Sequence, residues 1–182
     1  APGRLRRANE RVVEFQRQIP IAALWGQGDK ASADMMALDA SRHLYNARVD
    51  PRRRTFGAGI YTHVLDRYGV IYDQPIVLNE RQGGAAVEGV ERHNQSGEDR
   101  VRLSLLAVDT HGYTNATMSI AKLLGFDLCP QLRNLVERKL YVPSGTKPID
   151  GIEGVTVAGV SLKAISKNWD EFAQASAPVM DF

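Results

Sequence analysis

The chain has 182 residues, 43% hydrophobic and 24% charged, with 23 basic against 21 acidic side chains and a net charge of +2. That is one domain's length, at roughly 100–200 residues per domain, with ordinary globular composition. It excludes a wholly disordered, collagenous or coiled-coil chain, and no apolar run nears the ~18–20 residues that span a bilayer.

Residues 4–18 predict a helix with Leu5, Ala8, Val12 and Phe15 on one apolar face and Pro20 ending it. Residues 26–29 are a Gly-rich loop. Residues 34–45 suit a helix by the propensities of Met35, Met36, Ala37, Leu38 and Ala40, and suit a short buried strand equally. Residues 59–65 are β-branched and aromatic, 66–69 form a turn, and 70–72 and 76–78 continue as strand. That is a hairpin, with Pro75 placing its second strand at an edge or a bulge.

Residues 80–95 predict a helix, followed by a polar turn at 94–99. Residues 101–108 are a buried strand that stops at Asp109. A helix over 115–124 ends at Gly125, and 126–129 make a short strand. Residues 131–140 are basic and helical or turn-like, 142–154 are a Pro/Gly-rich connection, and the last helix covers about 162–175. Strands and helices alternate after an antiparallel opening, which argues for a mixed α/β sheet flanked by helices.

Basic residues cluster in three places. Residues 1–17 hold Arg4, Arg6, Arg7, Arg11 and Arg17; residues 51–54 hold Arg52, Arg53 and Arg54; residues 133–147 hold Arg133, Arg138, Lys139 and Lys147. Such clusters permit a phosphate-binding face, and they equally describe solvated surface charge. Cys129 has no internal disulfide partner, which fits a reducing compartment and a cytoplasmic location. Neither end reads as a natural terminus, so a piece of a longer protein is expected.

Asp109 is the strongest local feature. An apolar strand delivers it to the carboxyl end of a sheet, where open α/β folds place ligands. There it can hold a hard cation such as Mg²⁺, or it can cap the next helix or close an Asx-turn. A metal site needs a second carboxylate, and Asp34, Asp39, Asp50, Asp66 and Asp73 are the upstream candidates. Asp34 lies in an apolar, small stretch, where its charge needs a partner if buried; a helix N-cap is the plainer reading. His43, His63, His93 and His111 lack zinc spacing, and no nucleophile elbow, phosphate loop or dinucleotide fingerprint is present.

Several segments taken together resemble one family. They are Ala33-Asp34-Met35-Met36, the stretch from Asn46 to Arg54, Gly59-Ile60-Tyr61-Thr62-His63-Val64 and the stretch from Tyr72 to Leu78. Further on come Asp109-Thr110-His111-Gly112-Tyr113-Thr114-Asn115, Leu123-Leu124-Gly125-Phe126 and the stretch from Arg138 to Pro143. This combination resembles the catalytic region of the Tn3-type replicative transposases over nearly the whole chain.

The resemblance implies a ribonuclease-H-like fold and a DDE active site, with Asp34 and Asp109 as the first two acidic ligands. It implies Mg²⁺, or Mn²⁺, as cofactor and phosphoryl transfer on transposon-end and target DNA. It further implies a single core over 1–182 with 1–30 as helical lead-in, self-association of the full-length protein, and Asp34 on a short central strand. The family's third residue, a glutamate, finds no match at Glu153 or Glu171, so the 182 residues are expected to be inactive alone. Phosphate contacts are expected from Arg52, Arg53, Arg54, Arg133, Arg138 and Lys139, with strong salt dependence. The competing readings are a non-catalytic nucleic-acid-binding or regulatory module that kept the fold, and a different ribonuclease-H-like nuclease or resolvase. His111 is a phosphate contact or a plain loop residue.

Overall fold

A computed structural model describes residues 2–96, 100–134, 137–147, 151 and 156–180. Contacts divide the chain into two compact units, Ala1–Gln131 and Leu132–Phe182.

The first unit opens with helix α1 (Pro2–Arg17) and a 3-10 turn at Pro20–Leu24. Its sheet strands are β1 (Lys30–Asp39), β2 (Arg48–Val49), β3 (Phe56–Leu65), β4 (Val70–Ile76), β5 (Leu105–Val108) and β6 (Asp127–Pro130), with helices α2 (Gly83–Gln95) and α3 (Asn115–Leu123) between the later ones. The sheet order is β2-β3-β1-β5-β6, with β4 on the same strand, β3, that carries β2. β1 is antiparallel to β3, from Ala31–Leu65 to Asp39–Gly57, and parallel to β5, from Lys30–Leu105 to Ala33–Val108. α3 is the crossover that lets β5 and β6 run parallel.

β1 decides the open question in favour of strand over 34–39, while 40–45 are loop and turn. Its helix-favouring residues Met35 to Leu38 are paired along β3, and ladder pairing overrides local propensity. The strand is longer than expected and starts at Lys30, because the Asp66 amide in the hairpin turn donates to the Lys30 carbonyl.

Helix α2 buries Ala86, Val87, Val90 and His93, spaced to share one face, and packs on β3, β4 and β5. Each fully buried valine contributes ~1.5–3 kcal/mol of burial. Leu103, Leu106, Phe126 and Leu128 fill the core beneath. α3 adds Ala121 and begins at a reciprocal cap, Thr114 with Thr117. The opposite sheet face is uncovered among the described residues: Ser32, Asp34, Met36 and Leu38 alternate outward, with Met36 57% exposed.

Several expectations need correction. On α1, Leu5, Val12 and Phe15 are exposed, and Val13 is the buried residue, seated over Gly69. The stripe Asn9, Val13 and Arg17 faces Val70 and Ile71, tied by the Glu10–Arg100 ion pair. β5 is shorter than 101–108 because the Leu103 amide goes to the Asn94 side chain and the Ser104 amide to the Asp29 carbonyl. The end of the polar turn, 97–99, lies outside the described residues, as do 148–150 and 152–154 of the 142–154 connection and residue 155 after it.

In the second unit, residues 132–134 and 137–138 are turn-like without an α-helix, and β7 (Lys139–Pro143) pairs in parallel with β8 (Thr156–Val160). The last helix is two: α4 (Leu162–Lys167) and α5 (Trp169–Met180). Asn168 interrupts them, its amide and side chain both turned back onto the Ala164 carbonyl. No described helix is long and apolar enough to cross a membrane.

Candidate active site

Ala33 and Val108 are a parallel pair with buried side chains, and the ladder between β1 and β5 ends there. The next residue in each segment is an aspartate, Asp34 within β1 and Asp109 just past the end of β5. Side chains alternate along a strand, which turns Asp34 to the open face of the sheet, and Asp109 follows directly on the end of β5. Neighbouring strands lie ~4.8 Å apart, which sets the scale of the separation of the two backbones. Both residues line one open cleft, with Ser32, Thr62, Ala107 and Gln131 around them.

Local chemistry fixes each. Asp34 is mid-strand and caps no helix; its Oδ1 accepts the Met35 amide at 2.7 Å. Asp109 does close an Asx-turn: its Oδ1 accepts the amides of His111 and Gly112, each at 2.9 Å. Thr114, not Asp109, caps α3. Gly112 is required by close approach, since a Cβ there would stand 2.7 Å from Val108 Cβ and 3.1 Å from Tyr61 Oη. Among the described residues no hydrogen bond occupies either Oδ2, so each aspartate keeps one carboxyl oxygen unengaged.

The other upstream carboxylates are engaged or distant. Both oxygens of Asp66 accept the Gly28 amide. Asp50 is buried and accepts the Arg52 amide, and Asp39 pairs with Arg53 at 3.4 Å. Asp73 lies opposite Thr62, with β3 between it and Asp34. No group of three or more His, Cys, Asp or Glu among the described residues could hold a metal ion. Two carboxylates with free oxygens are hard donors that suit Mg²⁺ or Mn²⁺, so the residues present fit part of such a site.

The basic residues are placed less uniformly. Arg52, Arg53 and Arg54 are exposed in the loop before β3, and Arg53 bridges Asp39 and Asp50. Asp39 is five residues along β1 from Asp34, roughly 17 Å at ~3.3 Å per residue, so this loop stands away from the aspartates. Arg133, Arg138 and Lys139 belong to the second unit; Arg133 and Lys139 are exposed, and Arg138 donates to the Arg133 carbonyl. His111 is exposed and only its backbone joins the Asp109 turn.

Sequence reasoning missed Thr62, Gln131 and Tyr61. The alternation through Ile60-Tyr61-Thr62-His63 carries the signal: it puts Thr62 on the cleft side, and Tyr61 and His63 on the side covered by α2.

Comparisons with known proteins agree with one another. The family model described as the Tn3 transposase DDE domain matches residues 1–179. The transposase for insertion sequence element IS1071 in transposon Tn5271 of Comamonas testosteroni is 50% identical over 97% of this chain. The transposases of Tn21 from Escherichia coli and Tn501 from Pseudomonas aeruginosa are 25% and 27% identical, each over 92% of this chain. The chain spans only 18%, 17% and 17% of these three relatives. Among solved structures, a piggyBac transposase synaptic complex with hairpin DNA overlaps 57% of this chain and 22% of its own, at TM-score 0.35 and 13% identity, too slight a likeness to build on.

Proposed function

Because the chain belongs to the Tn3 transposase DDE domain family, we propose that it supplies Asp34 and Asp109 as two acidic ligands of a centre for Mg²⁺-dependent phosphoryl transfer on DNA. The reaction in this reading is hydrolysis at transposon 3′ ends followed by attack of the freed 3′-hydroxyl on target DNA. The observation that carries it is the position of both aspartates one residue past the Ala33–Val108 pair, lining one cleft. The strand arrangement supports a ribonuclease-H-like identity: a central β1 antiparallel to β3, with β5 and β6 parallel on its other side.

When bound, divalent ions in such a centre lower the pKa of the attacking hydroxyl and stabilise the leaving oxygen. The chain's own part is to hold anionic oxygen where those ions bind. β1 fixes Asp34 by pairing it with Thr62 of β3, one residue past the last pair with β5, and the turn amides of His111 and Gly112 anchor one oxygen of Asp109 while leaving the other free. The reading assigns the third carboxylate to a glutamate outside these 182 residues, so the chain alone is inactive. It treats both units as one core with 1–30 as lead-in, and it assigns phosphate contacts to Arg52, Arg53, Arg54, Arg133, Arg138 and Lys139. Self-association belongs to the full-length protein.

A second reading, a non-catalytic DNA-binding module, is favoured by the lack of a three-ligand cluster among the described residues. Calorimetric titration with Mn²⁺ separates the two. The catalytic reading expects binding that is lost in both Asp34→Asn and Asp109→Asn and kept in Asp73→Asn. Equal titrations for all four proteins would leave only the second reading.

A further inference from the structure

Tyr61 carries a polar atom that nothing in the fold uses. Its side chain is fully buried on the covered side of β3, and its hydroxyl has no hydrogen-bond partner among the described residues. Buried hydroxyls are nearly always bonded, because water has been given up for nothing otherwise. The ring stands edge-on to His63, 5.4 Å away in a T-shaped arrangement.

The hydroxyl lies against Gly112 of the aspartate turn. A Cβ on Gly112 would stand 3.1 Å from Tyr61 Oη, and the Gly112 amide is one of the two that hold Asp109. The Asp109 and Asp34 charges both lie near enough to add to the burial that pushes the phenol's pKa up. A tyrosine hydroxyl has one proton to donate, and a carboxylate is the acceptor nearest at hand in this turn.

We propose that Tyr61 is a positioning residue of the two-aspartate site, its hydroxyl donating to the Asp109 carboxylate when that carboxylate turns to hold a divalent ion. The inference rests on the metal-ligand reading of Asp34 and Asp109. The free hydroxyl is then a donor held in reserve: unbonded while the carboxylate is occupied only by its own turn, and bonded when the ion fixes its rotamer. Partners of this kind outside the ligand set commonly change metal affinity by 10–100-fold when removed.

The test is Tyr61→Phe in the 182-residue chain, which removes one oxygen and keeps the ring. Thermal melts and Mn²⁺ titrations are run beside wild type, Asp34→Asn and Asp109→Asn. The expected result is a Tm equal to or above wild type, since an unbonded buried hydroxyl is lost, together with Mn²⁺ affinity weakened roughly 10-fold. A merely structural tyrosine would not give that pair. Unchanged affinity in Tyr61→Phe, with loss in both aspartate variants, overturns the role of Tyr61 alone. A lowered Tm also overturns it, because the hydroxyl would already have a structural partner. Absent wild-type binding, or aspartate variants that titrate like wild type, overturns the site reading and this proposal together.

Discussion

The imidazole of His63 occupies the space a side chain at position 89 would need. A Cβ added to Gly89 would stand 2.2 Å from the ring's Cε1, and the ring's Nε2 bonds the Ala86 carbonyl at 3.0 Å. Helix α2 thus sits on β3 with glycine as a slot for the ring, and Tyr61 and Tyr72 flank the same ring. This contact holds the covered face of the sheet whose other face carries the aspartates.

Gly89→Ala is expected to lower stability by ~1–3 kcal/mol, the usual cost of overpacking a filled core. For a chain of this size that is a fall in Tm of roughly 2–12 °C. Combined with His63→Ala, the same substitution should cost clearly less, a coupling that thermal melts of the four proteins in the cycle read directly.

Acid should weaken the fold through the same contact. Burial pushes the pKa of His63 down, against smaller opposing effects from its bonds and Glu88, and burial also pushes that of His93 down. Their folded pKa values lie below the unfolded 6.5, so the unfolded state binds more protons as pH falls. The stability they confer is complete above pH 6.5 and is lost as pH drops from there towards the folded values. Denaturant unfolding from pH 7.5 to 5 should show ΔG falling below pH 6.5, by at most about 1.4 kcal/mol per pH unit per histidine.

How legible the chain was depends on where each element takes its stability. The β3–β4 hairpin is local, with β-branched residues around a four-residue turn, and its residues announce it. β1 is not local: Met35, Met36, Ala37 and Leu38 favour helix, and only pairing with β3 makes them strand. The likeness to a family, rather than propensity, pointed to a strand there. β7 and β8 pair across a Pro/Gly-rich stretch, which hides them from any short window. On α1, Val12 and Val13 offer two apolar faces, and the Glu10–Arg100 pair goes with the Val13 side. Asp109 was legible because an apolar strand ended on it. Tyr61 was not, because its interest lies in a missing hydrogen bond.

Asp66 tests the separation of scaffold from site. Its two oxygens accept the Gly28 amide at 3.1 Å, and the Arg67 guanidinium bonds the Gly26 carbonyl at 2.9 Å, so the hairpin turn clamps the loop that feeds β1. Asp66→Ala should cost ~1.5–3 kcal/mol, the range for a hydrogen bond to a charged group. Mn²⁺ titration of the folded variant should match wild type.

The basic loop before β3 should reveal itself in salt dependence. Arg53 is held by Asp39 and Asp50, whereas Arg52 and Arg54 have no ion pair among the described residues. Each phosphate contact adds about 0.9 to the slope of log K against log salt. Replacing Arg52 and Arg54 with alanine should therefore lower the slope for duplex DNA by up to about 2. Arg53→Ala should lower it less.

Paramagnetic broadening by Mn²⁺ in amide spectra of the 182-residue chain tests most directly whether one ion sits between the two strand ends. Signals of Ser32 to Met36, Thr62 and Val108 to Gly112 should broaden together at the lowest Mn²⁺ concentrations, while those of 51–54 remain sharp. Broadening confined to one strand end, or equal over all surface acids, would contradict a shared Asp34–Asp109 centre.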